Sequence, residues 1–262
     1  MNNDLISLGT KQLKNYMDEE KANYLANYLY KYVDEGDYQD GINKLIDGIP
    51  IQYIIGNVNF YGNIFKVTPN VLIPRFETEE LIEKTKKYIT EYFDTTLDIV
   101  DFGTGSGCIS ITLKKLFPSA NITAVDISDK ALEIAKINAL NNNVEINFLL
   151  SDLYENLNEK YDLIISNPPY LSENDEVEEI VKKNEPNIAL YALNDGLEII
   201  ERIIKDAPCY LKEKGMIALE MGEHHGDAII QLANKYLNNA KVIIEHDLQN
   251  RDRFAFIFIN NK

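Results

Sequence analysis

The sequence predicts an α/β protein built on a parallel sheet, with a small helical region and a β-hairpin in front of it. Three observations carry this. From Leu97 onward, short apolar runs alternate with helix-length stretches, the pattern of strand–helix–strand units. The first run opens into a glycine-rich turn, Asp101-Phe-Gly-Thr-Gly-Ser-Gly107. Later runs end at Asp126, Ser151-Asp152 and Ser166-Asn167, and the carboxyl ends of strands are where open α/β sheets bind ligands.

In chain order, residues 4–47 read as helical. Tyr24, Leu25, Tyr28, Leu29 and Tyr32 recur at three- and four-residue spacings, which puts them on one face, with the tyrosines expected in the core. Gly36 and Gly41 punctuate the next stretch, and Ile42, Leu45 and Ile46 suggest another short helix. The apolar and aromatic runs at 50–56, 59–62 and 64–67 are separated by glycines and read as a β-hairpin. Thr78, ahead of Leu81 and Ile82 with acids beside it, reads as the next helix start. The domain junction is placed here: residues 1–70 form a helical domain with a hairpin linker, and residues 71–262 the sheet domain.

Strands are then expected at 97–102, 122–126, 145–150 and 161–166, with Ser128 capping a helix over 129–141. The run at 161–166 ends directly on Asn167-Pro-Pro-Tyr170. A polar stretch at 173–183 reads as a solvated flap or helix face. Strands at 215–221 and 241–246 flank a helix at 227–237, and a last strand covers 253–259.

Composition narrows the function. The 262 residues are 45% hydrophobic and 26% charged, ordinary for a soluble globular protein. No run is long and apolar enough for a membrane span, and the start shows no basic region followed by an apolar core. Two cysteines, Cys108 and Cys209, point to a reducing cytoplasm. His224, His225 and His246 lack metal-ligand spacing, so no metal is expected. A net charge of -16 argues against a general nucleic-acid surface.

The candidate site lies at the strand ends. Gly103, Gly105 and Gly107 let backbone pass close to a ligand, and Asp126 can accept hydrogen bonds from both hydroxyls of a ribose. Asp152 sits where the base of a nucleoside would lie. The prolines at 168 and 169 remove two backbone donors and push Asn167 into an extended conformation. That leaves a stiff platform with a carboxamide, a free carbonyl and an aromatic ring, suited to holding a planar group that carries an NH2. Arg75 and Glu77 read either as a surface ion pair or as ligand contacts.

Taken together, these motifs resemble the Rossmann-like S-adenosylmethionine-dependent methyltransferases. More narrowly, the chain is similar to the release-factor glutamine N5-methyltransferases, the HemK/PrmC family. The narrower likeness rests on Gln52-Tyr-Ile-Ile-Gly56, Phe60-Tyr-Gly62, Val71-Leu-Ile-Pro-Arg75, Glu185-Pro-Asn-Ile-Ala-Leu190, Asp195-Gly-Leu197 and Leu219-Glu220, and covers nearly the whole chain. Phe76 stands where the family commonly has proline, and Glu223-His224-His225 replaces a segment that usually contains glutamine.

The resemblance implies a mostly parallel sheet whose last strand is antiparallel. It implies S-adenosyl-L-methionine as cofactor, held by Asp101, Gly103, Thr104, Gly105, Gly107, Asp126, Asp152 and Asn167. Asn167, Pro168 and Tyr170 would be catalytic, with Pro169 also against the substrate. That substrate would be the glutamine of the Gly-Gly-Gln loop of peptide chain release factors, docked by the helical domain and modified by a cytoplasmic monomer to modulate translation termination. Two other readings compete: nucleic-acid amino methylation, which shares Asn-Pro-Pro-Tyr but wants a basic groove, and a non-catalytic nucleotide-binding module, which leaves Asn-Pro-Pro-Tyr unexplained.

Overall fold

The computed structural model describes residues 2–93 and 96–260. Met1, Asn261 and Lys262, the outer ends of the two expected domains, lie outside the described residues. The N-terminal segment forms three helices, α1 (Asn2–Leu13), α2 (Glu19–Tyr32) and α3 (Tyr38–Ile46). Asp18 caps α2 by accepting the Lys21 N–H at 2.8 Å. Gly41 lies inside α3 instead of interrupting it, and a Cβ there would come within 2.7 Å of Leu29, so close helix packing calls for glycine at this position.

The tyrosines of α2 correct the expectation. Its inward stripe is Ala22, Ala26 and Leu29, all fully buried, while Tyr24 is 60% and Tyr32 44% exposed. Small residues let α2 lie close to its neighbours, and the phenols of Tyr24 and Tyr32, each with a hydroxyl to hydrate, fall on the outer side, while Tyr28 is half-buried against the core. Tyr24 and Tyr28 stack with ring centroids 5.6 Å apart, and Tyr28 and Tyr32 pack at 4.8 Å.

Part of the predicted hairpin is also helical. Residues Ile51–Ile55 form α4, between Pro50 and Gly56, the latter at φ 76°. Proline before the first turn and a left-handed glycine after the last one delimit a helix, and a five-residue apolar run does not by itself tell helix from strand. The hairpin proper is β1 (Asn57–Phe60) and β2 (Asn63–Lys66), antiparallel. Its turn residues Tyr61 and Gly62 have φ of 49° and 71°, as a two-residue turn of this twist requires. Phe60 and Phe65 pack into the core of the large sheet.

α5 (Phe76–Tyr92) begins two residues before the predicted start, and Arg75, not Thr78, stands at its cap. The remaining elements are β3 (Asp98–Phe102), α6 (Cys108–Leu116), β4 (Asn121–Asp126), α7 (Asp129–Asn141), β5 (Asn147–Leu150) and β6 (Tyr161–Ser166), then α8 (Glu179–Asn184), α9 (Glu198–Tyr210), β7 (Leu211–Glu220), α10 (Gly226–Tyr236), β8 (Lys241–His246) and β9 (Asp252–Asn260). Ser128 caps α7 as expected, accepting the Ala131 N–H at 3.2 Å. Sequence reading missed α9, whose buried Ile200, Ile203, Ile204 and Ala207 carry a helical period.

The sheet order is β5-β4-β3-β6-β7-β9-β8. β9 runs antiparallel to both β7 and β8, and β3 to β7 are mutually parallel. Alternate residues feed two cores. Ile99, Leu163 and Met216 face α5 and α6, while Val100, Ile164 and Ile217 face α9. Burial on both faces is why β6 reads as an unbroken apolar run. The carboxyl ends of β5, β4, β3 and β6 are thereby set side by side.

Candidate active site

A cavity of about 260 Å³ lies along those strand ends. Gly103 and Gly105 line it from the turn after β3, Asp126 to Ser128 from the end of β4, Asp152 from the end of β5, and Asn167 to Pro169 from the end of β6. The turn is shaped by its glycines: Gly103, Gly105 and Gly107 have φ of 67°, 55° and 81°, a region that side chains resist. A Cβ at Gly103 would meet no protein atom within 4 Å, whereas one at Gly107 would press on Ile111 and Ala135. Gly103 therefore keeps ligand space open, and Gly107 lets α6 pack.

Asp126 accepts the Gly105 N–H at 2.8 Å and the Ser128 N–H at 2.9 Å. Burial raises its carboxyl, and these backbone donors oppose that rise. Each oxygen retains a lone pair for a ligand hydroxyl. Asp101 and Thr104 do not line the cavity. They lie beneath the turn, where Thr104 donates to Asp101 at 2.7 Å and Ser110 also donates to it. Burial pushes the Asp101 carboxyl to about 6, and its Oδ1 has no partner. Asp152 is held by Arg202 at 2.8 Å, and Arg202 lines the cavity too. Sequence reasoning missed Arg202, since α9 itself went unread.

A second cavity, of about 190 Å³, adjoins the first. It is lined by Leu72, Arg75, Tyr170, Leu171 and Glu220, and shares Asn167 and Pro168 with the first. Arg75 and Glu77 do not pair with each other. Arg75 pairs with the buried Glu185 at 2.5 Å, and Glu185 also accepts the Ile73 N–H at 3.1 Å. Glu77 lies 3.8 Å from Arg251. The pairing of Arg75 with Glu185 brings together two stretches that the sequence reading had singled out separately.

Behind the shared wall is a polar chain. Asn167 Nδ2 donates to Thr78 Oγ1 at 3.0 Å, Thr78 donates to Glu220 at 2.7 Å, and the Tyr170 hydroxyl donates to the other Glu220 oxygen at 3.2 Å. Burial lifts the Glu220 carboxyl to about 7 and pushes the Tyr170 phenol well above its ordinary range, keeping Tyr170 protonated at neutral pH. Cys108, its thiol raised to about 12 by burial, is unreactive packing. His225 sits outside both cavities. Its Nε2–H donates to the Asp195 carbonyl at 3.0 Å and its Nδ1 accepts the Gly222 N–H, so it is neutral.

The residues present fit S-adenosylmethionine. The open space at Gly103 and the acceptor oxygens of Asp126 suit its ribose, and the apolar Ile127, Leu153 and Ile199 suit a purine. A sheet of this order with one reversed strand, carrying such a cavity over its carboxyl edge, is the framework of the S-adenosylmethionine-dependent methyltransferases, and this chain is one of them. Residues 64–189 match the methyltransferase small domain family. The release factor glutamine methyltransferase of Streptococcus pneumoniae is 45% identical over 221 residues, covering 84% of this chain and 78% of that one. That of Bacillus subtilis is 41% identical over 216 residues, covering 79% and 74%. The chain belongs to the family of release factor glutamine methyltransferases.

Solved structures agree on the fold. A methyltransferase from Pyrococcus furiosus superposes with a TM-score of 0.57 at 16% identity, covering 86% of this chain and 99% of that one. A T. thermophilus 16S rRNA methyltransferase, solved with AdoMet and guanosine, gives 0.58 at 14% identity, covering 79% and 50%. Among the described residues no helix is long and apolar enough to cross a membrane, and no three His, Cys, Asp or Glu side chains converge to hold a metal ion.

Proposed function

We propose that this protein methylates the side-chain amide nitrogen of the glutamine in the Gly-Gly-Gln loop of peptide chain release factors, acting as a cytoplasmic monomer that modulates translation termination. The observation that carries the reading is the wall shared by the two cavities. Asn167 and Pro168 face the cofactor cavity on one side and, on the other, a smaller cavity sized for one side chain.

Asp126, the turn at Gly103 and Gly105, and Asp152 would hold S-adenosylmethionine, with Asn167 at its edge. When bound, it supplies a methyl group made electrophilic by its sulfonium. The protein's task is then to prepare the nucleophile. An amide nitrogen is a poor one, because its lone pair is delocalised into the carbonyl. Asn167 Oδ1 and the Pro168 carbonyl can each accept one N–H of the substrate amide. Fixing both N–H bonds aims the lone pair and favours a tetrahedral nitrogen. Orientation of this kind can supply roughly 7–11 kcal/mol in the best cases, and acceptors set against developing positive charge add to it. Once methylated, the nitrogen is acidic enough to release its proton to water. The second cavity, floored by Tyr170, receives the glutamine side chain. Residues 1–70 dock the release factor.

The deciding experiment is methyl transfer from radiolabelled S-adenosylmethionine. The acceptors are a release factor, the same factor with its loop glutamine changed to alanine, duplex DNA and ribosomal RNA. Label is expected on the first alone. Label confined to nucleic acid would overturn the substrate reading and leave the fold and cofactor untouched.

A further inference from the structure

Thr78 and Glu220 are 2% and 1% exposed, behind the Asn-Pro-Pro-Tyr segment on α5 and β7. A carboxamide can be seated two ways, with oxygen and nitrogen exchanged at almost no steric cost, and its partners decide which way it sits. Here the partners leave one choice. An ionised Glu220 only accepts, so the single proton of the Thr78 hydroxyl is committed to it at 2.7 Å. Thr78 can then only accept from Asn167, and the contact at 3.0 Å takes the Nδ2 end. Oδ1 is left to face the cavities. Tyr170 commits its own proton to Glu220 as well, at 3.2 Å.

We propose that Thr78 and Glu220 are positioning residues that set the polarity of the Asn167 carboxamide, so that an acceptor and never a donor meets the substrate amide. The inference rests on the glutamine-methylation reading and deepens it. With the carboxamide reversed, N–H would face N–H and the nucleophile would be lost.

The charge on Glu220 is what enforces the order. The ionisable groups facing it are Arg253 of β9, which favours the ionised form, Glu77 of α5, which opposes it, and Tyr170; Cys108 of α6 lies within electrostatic reach. Burial outweighs Arg253 and brings the carboxyl to about 7. Once protonated, Glu220 can donate to Thr78, the Thr78 hydroxyl is free to donate to Asn167, and the carboxamide can turn. The turnover rate should therefore fall on the acid side of neutrality.

The test compares Thr78→Val, which keeps the shape and loses the hydroxyl, with Thr78→Ser, which keeps the hydroxyl. Thr78→Val is expected to lower kcat on a release factor by about tenfold to a hundredfold, with the Kd for S-adenosylmethionine unchanged. Thr78→Ser should restore most of that loss, and the acid limb of the kcat–pH profile should be present with serine and absent with valine. Hydrogen exchange at the Asn167 side-chain NH2, read by NMR in the full-length protein, should be slow in the wild type and fast in Thr78→Val. This readout needs no substrate. A wild type that leaves release factor unlabelled would defeat the glutamine reading, while the exchange comparison still decides the orientation. Equal kcat losses in the two variants, or exchange that valine does not change, would overturn the inference.

Discussion

At Asn167 the side chain has one end spoken for and one end free. Its Nδ2 is held by Thr78, and the residue lines both cavities, which leaves Oδ1 as the end available to a ligand there. Removing the carboxamide in Asn167→Ala should cost kcat on the order of 10²–10³-fold, the usual loss for one preorganised polar group at the reacting centre. Binding of S-adenosylmethionine should change little, as calorimetry would show. Asp126→Asn should do the reverse. It removes the charge and leaves a single acceptor oxygen where the Gly105 and Ser128 N–H groups now each have their own, so one of those bonds is lost as well. Hydrogen bonds to a charged acceptor carry about 1.5–3 kcal/mol, so the cofactor Kd should rise roughly 10- to 100-fold. Glu220 bears on stability as well. Its folded pKa, about 7, lies above the ordinary 4.5, so between these values the folded state holds a proton that the unfolded chain releases. This group therefore makes the protein less stable as pH rises from about 4.5 to about 7, by about 3 kcal/mol at most. In Glu220→Gln that loss should vanish, so urea midpoints of variant and wild type should move apart in the variant's favour across this window.

Between elements, the loop joining the 3-10 turn Asn187–Ala189 to α9 braces the Asn-Pro-Pro-Tyr segment from behind. Gly196 has φ of 83°, and a Cβ there would stand 2.0 Å from the Tyr170 carbonyl oxygen and 3.0 Å from His225 Cε1. In Gly196→Ala the Asn-Pro-Pro-Tyr segment has to shift, and a misplacement near 1 Å can cost about 10²-fold in rate. Single-turnover kinetics with a circular dichroism control would measure it; a wild-type rate in a folded variant would mean the loop yields instead. Much at this scale was legible in the sequence. β6 and β8 have the bounds their apolar runs predict, and Ser128 caps α7 as its position suggests. What misled was local ambiguity: a five-residue apolar run that became α4, and a tyrosine stripe whose period matched a buried face while smaller residues beside it took the core. What stayed hidden was contact across long separations. Thr78 and Glu220 lie 142 residues apart, and Arg75 and Glu185 110 apart. Nothing in the spacing of either pair announces the partner, and Thr78 reads as a helix cap because its hydroxyl is equally suited to that use.

Across the whole molecule, the N-terminal helices and the second cavity are tied together through the stretch expected to be a solvated flap or helix face. Lys183 and Asn184, in α8, donate to the Asp47 and Gly48 carbonyls at 3.1 and 2.8 Å, and Glu185 next to them holds Arg75. A partner docked on the helices would thus be connected by short links to the second cavity. The face the helices present includes a ladder on α2 of exposed Tyr24 and Tyr32 with half-buried Tyr28 between them, its rings in contact. Tyrosines arranged this way offer rigid, amphipathic contact area, and they are among the side chains on which protein interfaces most depend. The docking role proposed for this domain therefore makes a divided prediction for Tyr24→Ala/Tyr28→Ala/Tyr32→Ala. Its KM for release factor should rise about 10- to 100-fold, as expected when a few interface anchors of about 1–2 kcal/mol each are truncated. Its kcat at saturating release factor and its Kd for S-adenosylmethionine should stay at wild-type values, because none of the three rings lines either cavity. Steady-state kinetics with the release factor varied, beside cofactor calorimetry, separates the terms. A KM that does not move would place the docking surface elsewhere, and a kcat that falls with it would mean the helices shape the site as well as recruit to it.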